Sequence, residues 1–405
     1  MSRRVQIDLA TGRLSVQVRE AAFPLETLCG FAARNNRKRG FLFLSKVLGK
    51  HWPARPSLMR QVHEHLAGQL DLGPGPWAFI AMAETATGLG QGVFEATLDR
   101  HPEAEALFLH STRYRVAGRP YLEFEEAHCH APDQYLYEPI QPAHRTLFSQ
   151  ARELVVIDDE ISTGSTLCNL VAAYRASNPH LERVHFVAIT NFSGASSAQR
   201  FSARLGLPVD CVAALHADFT FETADWPDAE AAPSAVGDNA RRPGQIADDL
   251  GRFGIAGHTP IPARELDRLA EGLPPGARML VLGTGEFMHV AFRVGLGLEA
   301  RGFDVVVQST TRSPILVGAD VGRRLIFGDN YAEGIPNYLY NVDPAGPDRI
   351  IVCHETPVDA LHELVYMLGP KCRTYRYAAL PHAPRQQPLQ TPSALIGGAN
   401  GHQPG

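Results

Sequence analysis

The first half of the chain alternates short apolar runs with stretches in which apolar residues recur at helical spacing. A run such as "WAFIAMAE" favours a buried strand, and a stretch such as "TLCNLVAAYRAS" favours a helix. Apolar strands that alternate with helices predict a mostly parallel sheet with helices on both faces. The predicted strands cover residues 77–84, 106–112, 153–160, 183–192 and 209–219, and the predicted helices cover 92–101, 166–177 and 196–206.

The second half shows the same kind of alternation with different motifs. Strands are predicted at residues 277–285, 303–310 and 348–355, and a helix at 286–302. Because 405 residues are long for a single core, two domains are expected. The fold class is therefore predicted to be α/β, with a parallel-sheet domain followed by a second α/β domain.

Stretches without periodicity mark the boundaries of these domains. Residues 222–249 are rich in Ala, Pro, Asp and Arg, which predicts a linker. Residues 381–405 are polar and rich in Pro and Gly, which predicts a disordered tail. The two domains are accordingly expected at residues 1–221 and 250–380.

The composition is that of an ordinary globular protein and narrows the range of partners. Hydrophobic residues make up 44%, charged residues 20% and the net charge is −5, so nothing calls for nucleic acid or an anionic membrane as a partner. No apolar run approaches the roughly 20 residues of a membrane span, and the first residues lack an apolar signal-peptide core. The 6 cysteines form no C-x-x-C pair. They indicate reduced thiols, so we expect a cytoplasmic protein.

The stretch "ELVVIDDEISTGST", residues 153–166, carries the strongest candidate chemistry. Its apolar strand ends in Asp158 and Asp159, and parallel sheets bind ligands at the carboxyl ends of their strands. A turn of small residues then opens a helix, so its backbone N–H groups favour an anion. Two carboxylates beside such a turn suit the vicinal hydroxyls of a sugar phosphate, directly or through Mg²⁺ and water. The turn consists of Ser162, Thr163, Gly164, Ser165 and Thr166.

This arrangement resembles the type I phosphoribosyltransferases. Their signature is an apolar strand, two acids, two variable residues and a turn close to Thr-Thr-Gly-x-Thr, and here Ser162 replaces the first Thr. The resemblance implies that the chain binds phosphoribosyl pyrophosphate (PRPP) and transfers ribose 5-phosphate to an acceptor. It also implies Mg²⁺ as the cofactor, held through Asp158 and Asp159. Purine-salvage members usually carry Asp at the position of Ser162, which disfavours hypoxanthine or guanine as the acceptor.

The same resemblance implies roles for two further loops. A long flexible loop that closes over the substrates corresponds to residues 113–134, where Arg113 and Arg115 are candidate catalytic residues. They would neutralise charge on the departing pyrophosphate, and solvated arginines are the alternative. The loop after the first core strand binds the pyrophosphate. This loop, called loop 84–88 below, consists of Glu84, Thr85, Ala86, Thr87 and Gly88.

A wider resemblance covers most of residues 20–375. The stretches "SKVLGKH" (45–51) and "TRSP" (311–314) are similar to a bacterial architecture in which a phosphoribosyltransferase precedes a TRSP domain. That pairing occurs in gene neighbourhoods linked to tellurium resistance and stress response. The resemblance implies a part in making a nucleoside-like small molecule.

An additional hood that holds the acceptor is expected within residues 35–57. Lys46, Lys50 and His51 are its candidate side chains and would face the site. The alternative is that the basic stretch 34–40 is solvated or contacts RNA. One basic cluster in a chain of net charge −5 makes nucleic acid the weaker interpretation.

The second domain carries a candidate site of its own. "VLGTGEF" follows a strand, but Met288 stands where a dinucleotide fingerprint needs Gly, and there is no Walker lysine. The glycine turn leads into a helix and the TRSP motif follows the next strand, which together favour a small anionic ligand. A packing domain with tight glycine turns is the alternative. The candidate residues are Gly283, Thr284, Gly285, Glu286, Arg312, Ser313, Asp329 and Asn330.

Other interpretations stay open at the level of sequence. One is a PRPP-binding regulator without turnover, although the N-terminus shows no winged-helix pattern for DNA. Another is an RNA-associated factor that uses residues 34–39. The stretch "HCH" (128–130) invites a metal site, but no further ligand pair stands nearby. A homodimer is compatible with the sequence, which does not decide the oligomeric state.

Overall fold

The computed structural model describes residues 3–34, 39–125, 133–224, 250–331 and 333–377. It confirms the predicted α/β class, because the central sheet of each half is built mostly or wholly from parallel strands. Among the residues described, no helix is both long enough and apolar enough to cross a membrane.

The described residues of the first half contain eleven strands and six helices. The strands are β1 (Arg3–Leu9), β2 (Gly12–Ala21), β3 (Cys29–Ala33), β4 (Phe41–Ser45), β5 (Trp77–Ala81), β6 (Ala106–His110), β7 (Tyr121–Glu125), β8 (Asp133–Tyr137), β9 (Glu153–Ile161), β10 (Arg183–Asn191) and β11 (Val209–Thr223) in the described ranges. The helices there are α1 (Leu25–Leu28), α2 (Pro56–Gly68), α3 (Thr87–Arg100), α4 (Pro142–Gln150), α5 (Ser165–Ser177) and α6 (Ser197–Leu205).

The second half is smaller. Its described strands are β12 (Arg278–Gly283), β13 (Asp304–Ser309), β14 (Arg324–Phe327), β15 (Asn337–Tyr340), β16 (Arg349–His354) and β17 (Cys372–Arg376). Its described helices are α7 (Ala263–Ala270), α8 (His289–Glu299) and α9 (His362–Leu368), with 3₁₀ turns at Gly251–Phe253 and Val358–Leu361.

A 7-stranded sheet forms the centre of the first half, in the order β1-β2-β11-β10-β9-β5-β6. Strands β6, β5, β9, β10 and β11 run parallel. Every residue of β5 and β6 is buried, which is why these strands have continuous apolar runs. The carboxyl ends of β5 and β9 are neighbours, so the loops after them lie side by side.

The second half is built on a 4-stranded parallel sheet in the order β13-β12-β16-β17. In the register of this sheet, Gly283 lies opposite Ser309 on one side and Cys353 on the other. The loops after β12, β13 and β16 therefore meet at one edge of the sheet. This edge carries the glycine turn and the TRSP motif.

Several elements were not predicted from the hydrophobic pattern. Strands β1 and β2 form an antiparallel pair that extends the main sheet beyond β11, and β11 itself continues to Thr223, past the predicted boundary at residue 221. The antiparallel strands β7 and β8 include part of the predicted flexible loop at 113–134. Most of the predicted linker, residues 225–249, and the whole predicted tail, residues 381–405, lie outside the described residues.

The two halves share a buried interface. Ala54 of the first half pairs with Val307 of β13 through two backbone hydrogen bonds of 2.9 and 2.7 Å. Phe108 of β6 pairs in the same way with Ile255, which follows the turn Gly251–Phe253. The Met288 side chain of the second half is part of the apolar core of the first half. The two sheets are therefore docked by main-chain and apolar contacts together.

A buried arginine, Arg252, forms ion pairs within this interface. The Arg252 side chain is 1% exposed and donates hydrogen bonds of 3.0 Å to Glu286 and 3.0 Å to Glu355. The two carboxylates are 1% and 0% exposed. Buried charges are tolerated when they are paired and hydrogen-bonded, and Arg252 meets that condition for both glutamates.

We predict that Arg252→Met lowers the free energy of unfolding by about 3–5 kcal/mol, because it leaves two buried carboxylates without their cation. Urea unfolding followed by circular dichroism measures the effect. The matched control is Arg278→Met, since the Arg278 side chain is 63% exposed and 3.9 Å from its partner Asp348. Loss of such an exposed ion pair should lower the free energy of unfolding by at most about 1 kcal/mol. Equal unfolding midpoints for the two variants would contradict the prediction.

Candidate functional site

The acid pair lies at the carboxyl end of β9. The strand is buried up to Ile157, and Asp158 and Asp159 are the first of its residues that are partly exposed. The backbone N–H of Asp159 donates to the Asp158 carboxylate at 2.9 Å. The Thr85 hydroxyl of loop 84–88 donates to the Asp159 carboxylate at 2.9 Å. The structure therefore brings the acid pair and loop 84–88 into direct contact.

The turn of residues 162–166 connects β9 to helix α5. Gly164 has φ +71°, and a Cβ at this position would come within 2.3 Å of the Phe201 ring, so only glycine fits here. The Ser165 backbone N–H lies 3.3 Å from the Thr163 hydroxyl, which is exposed. Ser162 and Thr166 are partly exposed as well. A hydroxyl-rich turn at the start of a helix is suited to bind an anion.

Loop 84–88 packs against the second half of the chain. The Thr87 hydroxyl donates to the Glu286 carbonyl oxygen at 2.8 Å. A Cβ on Gly88 would come within 2.9 Å of the Met288 Cβ, so glycine allows this close approach. Ala86 is fully buried. The loop predicted to bind pyrophosphate is thus held between β9 and the glycine turn after β12.

Glu84 carries the only acidic side chain in loop 84–88, and it is surrounded by cations. The Lys50 Nζ atom lies 2.6 Å from a Glu84 carboxylate oxygen. Burial alone raises the pKa of Glu84, but Lys50, Arg312 and Arg113 outweigh it and lower the pKa to about 2. Glu84 is therefore ionised at neutral pH.

The three hood candidates lie in different surroundings. Lys50 is 1% exposed and also donates to the Gly285 carbonyl oxygen at 2.8 Å, so it joins loop 84–88 to the second half. Lys46 lies 4.9 Å from the Trp52 ring centre and 3.9 Å from the Asp320 carboxylate. Burial of His51 lowers its pKa to about 3, so its ring is neutral.

A third acid follows the predicted pair and was not singled out from the sequence. Glu160 lies 2.6 Å from the Arg39 guanidinium, which connects the hairpin β3–β4 to the end of β9. Burial raises the pKa of Glu160, and Arg39 opposes this shift. Near this pair, the ring of Phe43 stacks on Phe192 with 4.3 Å between centroids. The acidic run "DDE" was the only sequence signal for Glu160.

The two candidate arginines after β6 differ in exposure. The Arg113 backbone N–H donates to Glu286 at 3.0 Å, and its side chain is half-buried near Glu84. Arg115 is exposed and lies 3.4 Å from the Tyr121 hydroxyl. Tyr114, which lies between them in the sequence, is buried in the domain interface.

The glycine turn and the TRSP motif of the second half are adjacent. The Gly285 backbone N–H donates to the Thr310 hydroxyl at 2.9 Å, which fixes the loop after β12 against the loop after β13. The Arg312 guanidinium lies 4.6 Å from the Tyr114 ring centre and 2.6 Å from Glu333. Gly283 and Thr284 are buried, and the Ser313 backbone N–H lies 3.2 Å from the Thr311 hydroxyl.

Asp329 and Asn330 use their side chains to hold a loop. The Asp329 carboxylate accepts hydrogen bonds from the backbone N–H groups of Tyr331 at 2.7 Å, Glu333 at 2.9 Å and Ile335 at 3.0 Å. The Asn330 amide donates to the Thr356 hydroxyl at 2.9 Å and is buried. These contacts position Glu333 opposite Arg312.

The carboxyl edges of the two sheets therefore face each other. Loop 84–88 and the start of the loop after β6 come from the first sheet, and the glycine turn and TRSP motif come from the second. The stretch 128–130 lies outside the described residues. Within the described part of the chain, no group of three or more His, Cys, Asp or Glu side chains is arranged to hold a metal.

Two family models match the chain. Residues 28–218 match a model described as "Phosphoribosyl transferase", and residues 249–368 match one described as "TRSP domain C terminus to PRTase_2". No curated protein matches the chain.

Solved structures of adenine phosphoribosyltransferases show partial similarity. The Rhodothermus marinus enzyme is 16% identical over 47% of this chain and 95% of its own, with a TM-score of 0.31. The Giardia lamblia enzyme complexed with 9-deazaadenine is 11% identical over 48% and 98%, with a TM-score of 0.34. The Trypanosoma brucei enzyme in complex with AMP, pyrophosphate and ribose-5-phosphate is 13% identical over 52% and 86%, with a TM-score of 0.34.

The family matches follow the two halves described above, each with its own parallel sheet. The chain is therefore similar to a phosphoribosyltransferase family over residues 28–218 and to the TRSP domain described as C-terminal to it over residues 249–368.

Proposed function

We propose that the protein transfers ribose 5-phosphate from PRPP to a small acceptor and releases pyrophosphate. The observation that carries this proposal is the contact between the acid pair and loop 84–88, made by the hydrogen bond from Thr85 to Asp159. This contact lies beside the hydroxyl-rich turn 162–166. A site for a diol with an anion site on either side matches PRPP, whose ribose hydroxyls lie between the 5-phosphate and the pyrophosphate.

Each part of the site then has a distinct task. The Asp158 and Asp159 carboxylates accept hydrogen bonds from the vicinal ribose hydroxyls. The turn 162–166 binds the 5-phosphate at the N-terminus of α5, and loop 84–88 binds the pyrophosphate. With both ends held, C1 of the ribose is fixed in position for attack by the acceptor.

Mg²⁺ fits this donor set. Asp158 and Asp159 offer oxygen ligands only, and Mg²⁺ is commonly held by one or two carboxylates together with substrate phosphates and water. When bound, Mg²⁺ would supply charge neutralisation on the pyrophosphate.

The reaction exchanges one bond for another at C1. The bond from C1 to the pyrophosphate oxygen breaks, and its electron pair leaves with the pyrophosphate while the acceptor nucleophile bonds to C1. The ribose ring carries oxocarbenium character between these events. The half-buried Arg113 near Glu84 is suited to stabilise the departing pyrophosphate. The product would be a phosphoribosylated small molecule.

The double variant Asp158→Asn and Asp159→Asn should bind PRPP about 100-fold or more weakly, because hydrogen bonds to charged groups contribute about 1.5–3 kcal/mol each. Titration calorimetry with PRPP and Mg²⁺ measures the change. The matched control is Asp267→Asn with Asp348→Asn, two carboxylates that are 67% and 45% exposed. Undiminished affinity in a folded double variant would mean that PRPP does not bind here.

Arg113→Ala should lower turnover by about 100-fold while PRPP affinity falls less, because its charge acts mainly on the departing pyrophosphate. Pyrophosphate release, measured with PRPP, Mg²⁺ and a metabolite extract as the source of acceptor, reports turnover. Arg115→Ala tests the second candidate arginine under the same conditions. We expect a smaller effect there, since Arg115 is exposed. Parallel losses of turnover and affinity in Arg113→Ala would argue against this role.

A further inference from the structure

We propose that the C-terminal domain completes the pyrophosphate end of the site and that Arg312 binds the pyrophosphate of PRPP across the domain interface. This inference rests on the proposed function, because it takes loop 84–88 as the place where pyrophosphate binds. It assigns a substrate-binding residue to the TRSP domain. The site is then incomplete in the phosphoribosyltransferase domain alone.

A short chain of contacts connects Arg312 to loop 84–88. Its guanidinium lies 4.6 Å from the Tyr114 ring centre. The Tyr114 hydroxyl lies next to Gly285, 3.2 Å from the position that a Cβ would take there. The Gly285 carbonyl oxygen accepts the 2.8 Å hydrogen bond from Lys50, whose Nζ atom is 2.6 Å from Glu84. Arg312 is therefore one of the charges around the acidic residue of the loop.

Three cations converge on loop 84–88. Lys50, Arg113 and Arg312 all act on the single carboxylate of Glu84 and hold its pKa low against burial. Glu286 and Glu333 act on the same cations, so a pyrophosphate bound over the loop would share these cations with the two carboxylates. Of the three, Arg312 comes from the other domain. Its planar fork can hold two phosphate oxygens at once, which an ammonium group cannot do.

Arg312 differs in exposure and in its partners from Arg252, the buried arginine of the same interface. Arg252 is 1% exposed and donates hydrogen bonds to Glu286 and Glu355. Arg312 is 15% exposed, and its Nη2 atom approaches Glu333 to 2.6 Å. A guanidinium that is paired with one carboxylate exchanges it for a phosphate at lower cost than one that is held by two buried carboxylates.

The test uses the full chain and three probes: inorganic pyrophosphate, ribose 5-phosphate and PRPP, each titrated calorimetrically with Mg²⁺. Arg312→Gln should weaken pyrophosphate and PRPP binding by about 10-fold or more and leave ribose 5-phosphate binding unchanged. Arg312→Lys should show an intermediate loss, because the charge remains without the fork. Arg323→Gln is the matched control, since Arg323 is 51% exposed and pairs with Asp343, which is 56% exposed. We expect it to bind all three probes like the native protein.

A second variant keeps the proposal open to refutation if Arg312→Gln does not fold. Glu333→Gln retains Arg312 and removes its carboxylate, so pyrophosphate binding should become at least about 3-fold tighter. Weaker pyrophosphate binding in Glu333→Gln would overturn the proposal. Unchanged pyrophosphate binding in a folded Arg312→Gln, or an equal loss of ribose 5-phosphate binding, would overturn it as well.

The outcomes also separate this inference from the proposed function. If the native chain binds neither ribose 5-phosphate nor PRPP, the proposed function is wrong and the inference fails with it. If the native chain binds all three probes and Arg312→Gln loses none of them, only the role of Arg312 is wrong.

Discussion

The arrangement of the two domains depends on the hydrogen bonds made by the buried carboxylate of Glu286. It accepts hydrogen bonds from the Arg252 guanidinium at 3.0 Å, the Thr112 hydroxyl at 2.7 Å and the Arg113 backbone N–H at 3.0 Å. Its own carbonyl oxygen accepts the hydroxyl of Thr87. A carboxylate buried to this degree is stable only when its oxygens are satisfied. Both loops that border the candidate pyrophosphate site are therefore positioned by one residue of the C-terminal domain.

This requirement gives the C-terminal domain a physical role that does not depend on a ligand of its own. The turn after β12 lacks the spacing of a dinucleotide fingerprint, and its residues Gly283, Thr284 and Gly285 are buried. Gly285 lies next to Tyr114 of the first domain. The polar atoms of this turn contact Lys50 and Thr310. The edge of the second sheet thus borders the candidate site on the first sheet.

The features of the fold that depend on the local pattern of apolar and polar residues could be predicted from the sequence. The parallel sheets follow from continuous apolar runs, and the strand, turn and helix around residues 153–177 follow from an apolar run, small residues and helical spacing in immediate succession. The contacts of Lys50 with Glu84 and of Arg312 with Tyr114 could not be predicted from the sequence. They join residues whose partners are chosen only when the two domains dock, and no periodicity encodes that choice. Strands β1 and β2 were missed because an edge hairpin that is partly exposed has a weak apolar signal.

The pairing of Ala54 with Val307 has a consequence for how the two domains exist in the cell. Strand β13 is the outer strand of the 4-stranded sheet, and the Ala54 backbone covers part of its free edge. An uncovered edge with the sequence "DVVVQS" would offer unpaired N–H and C=O groups to any other extended chain. The first domain therefore prevents part of this strand edge from pairing with other chains and so opposes aggregation of the second domain. This protection favours keeping both domains in one polypeptide.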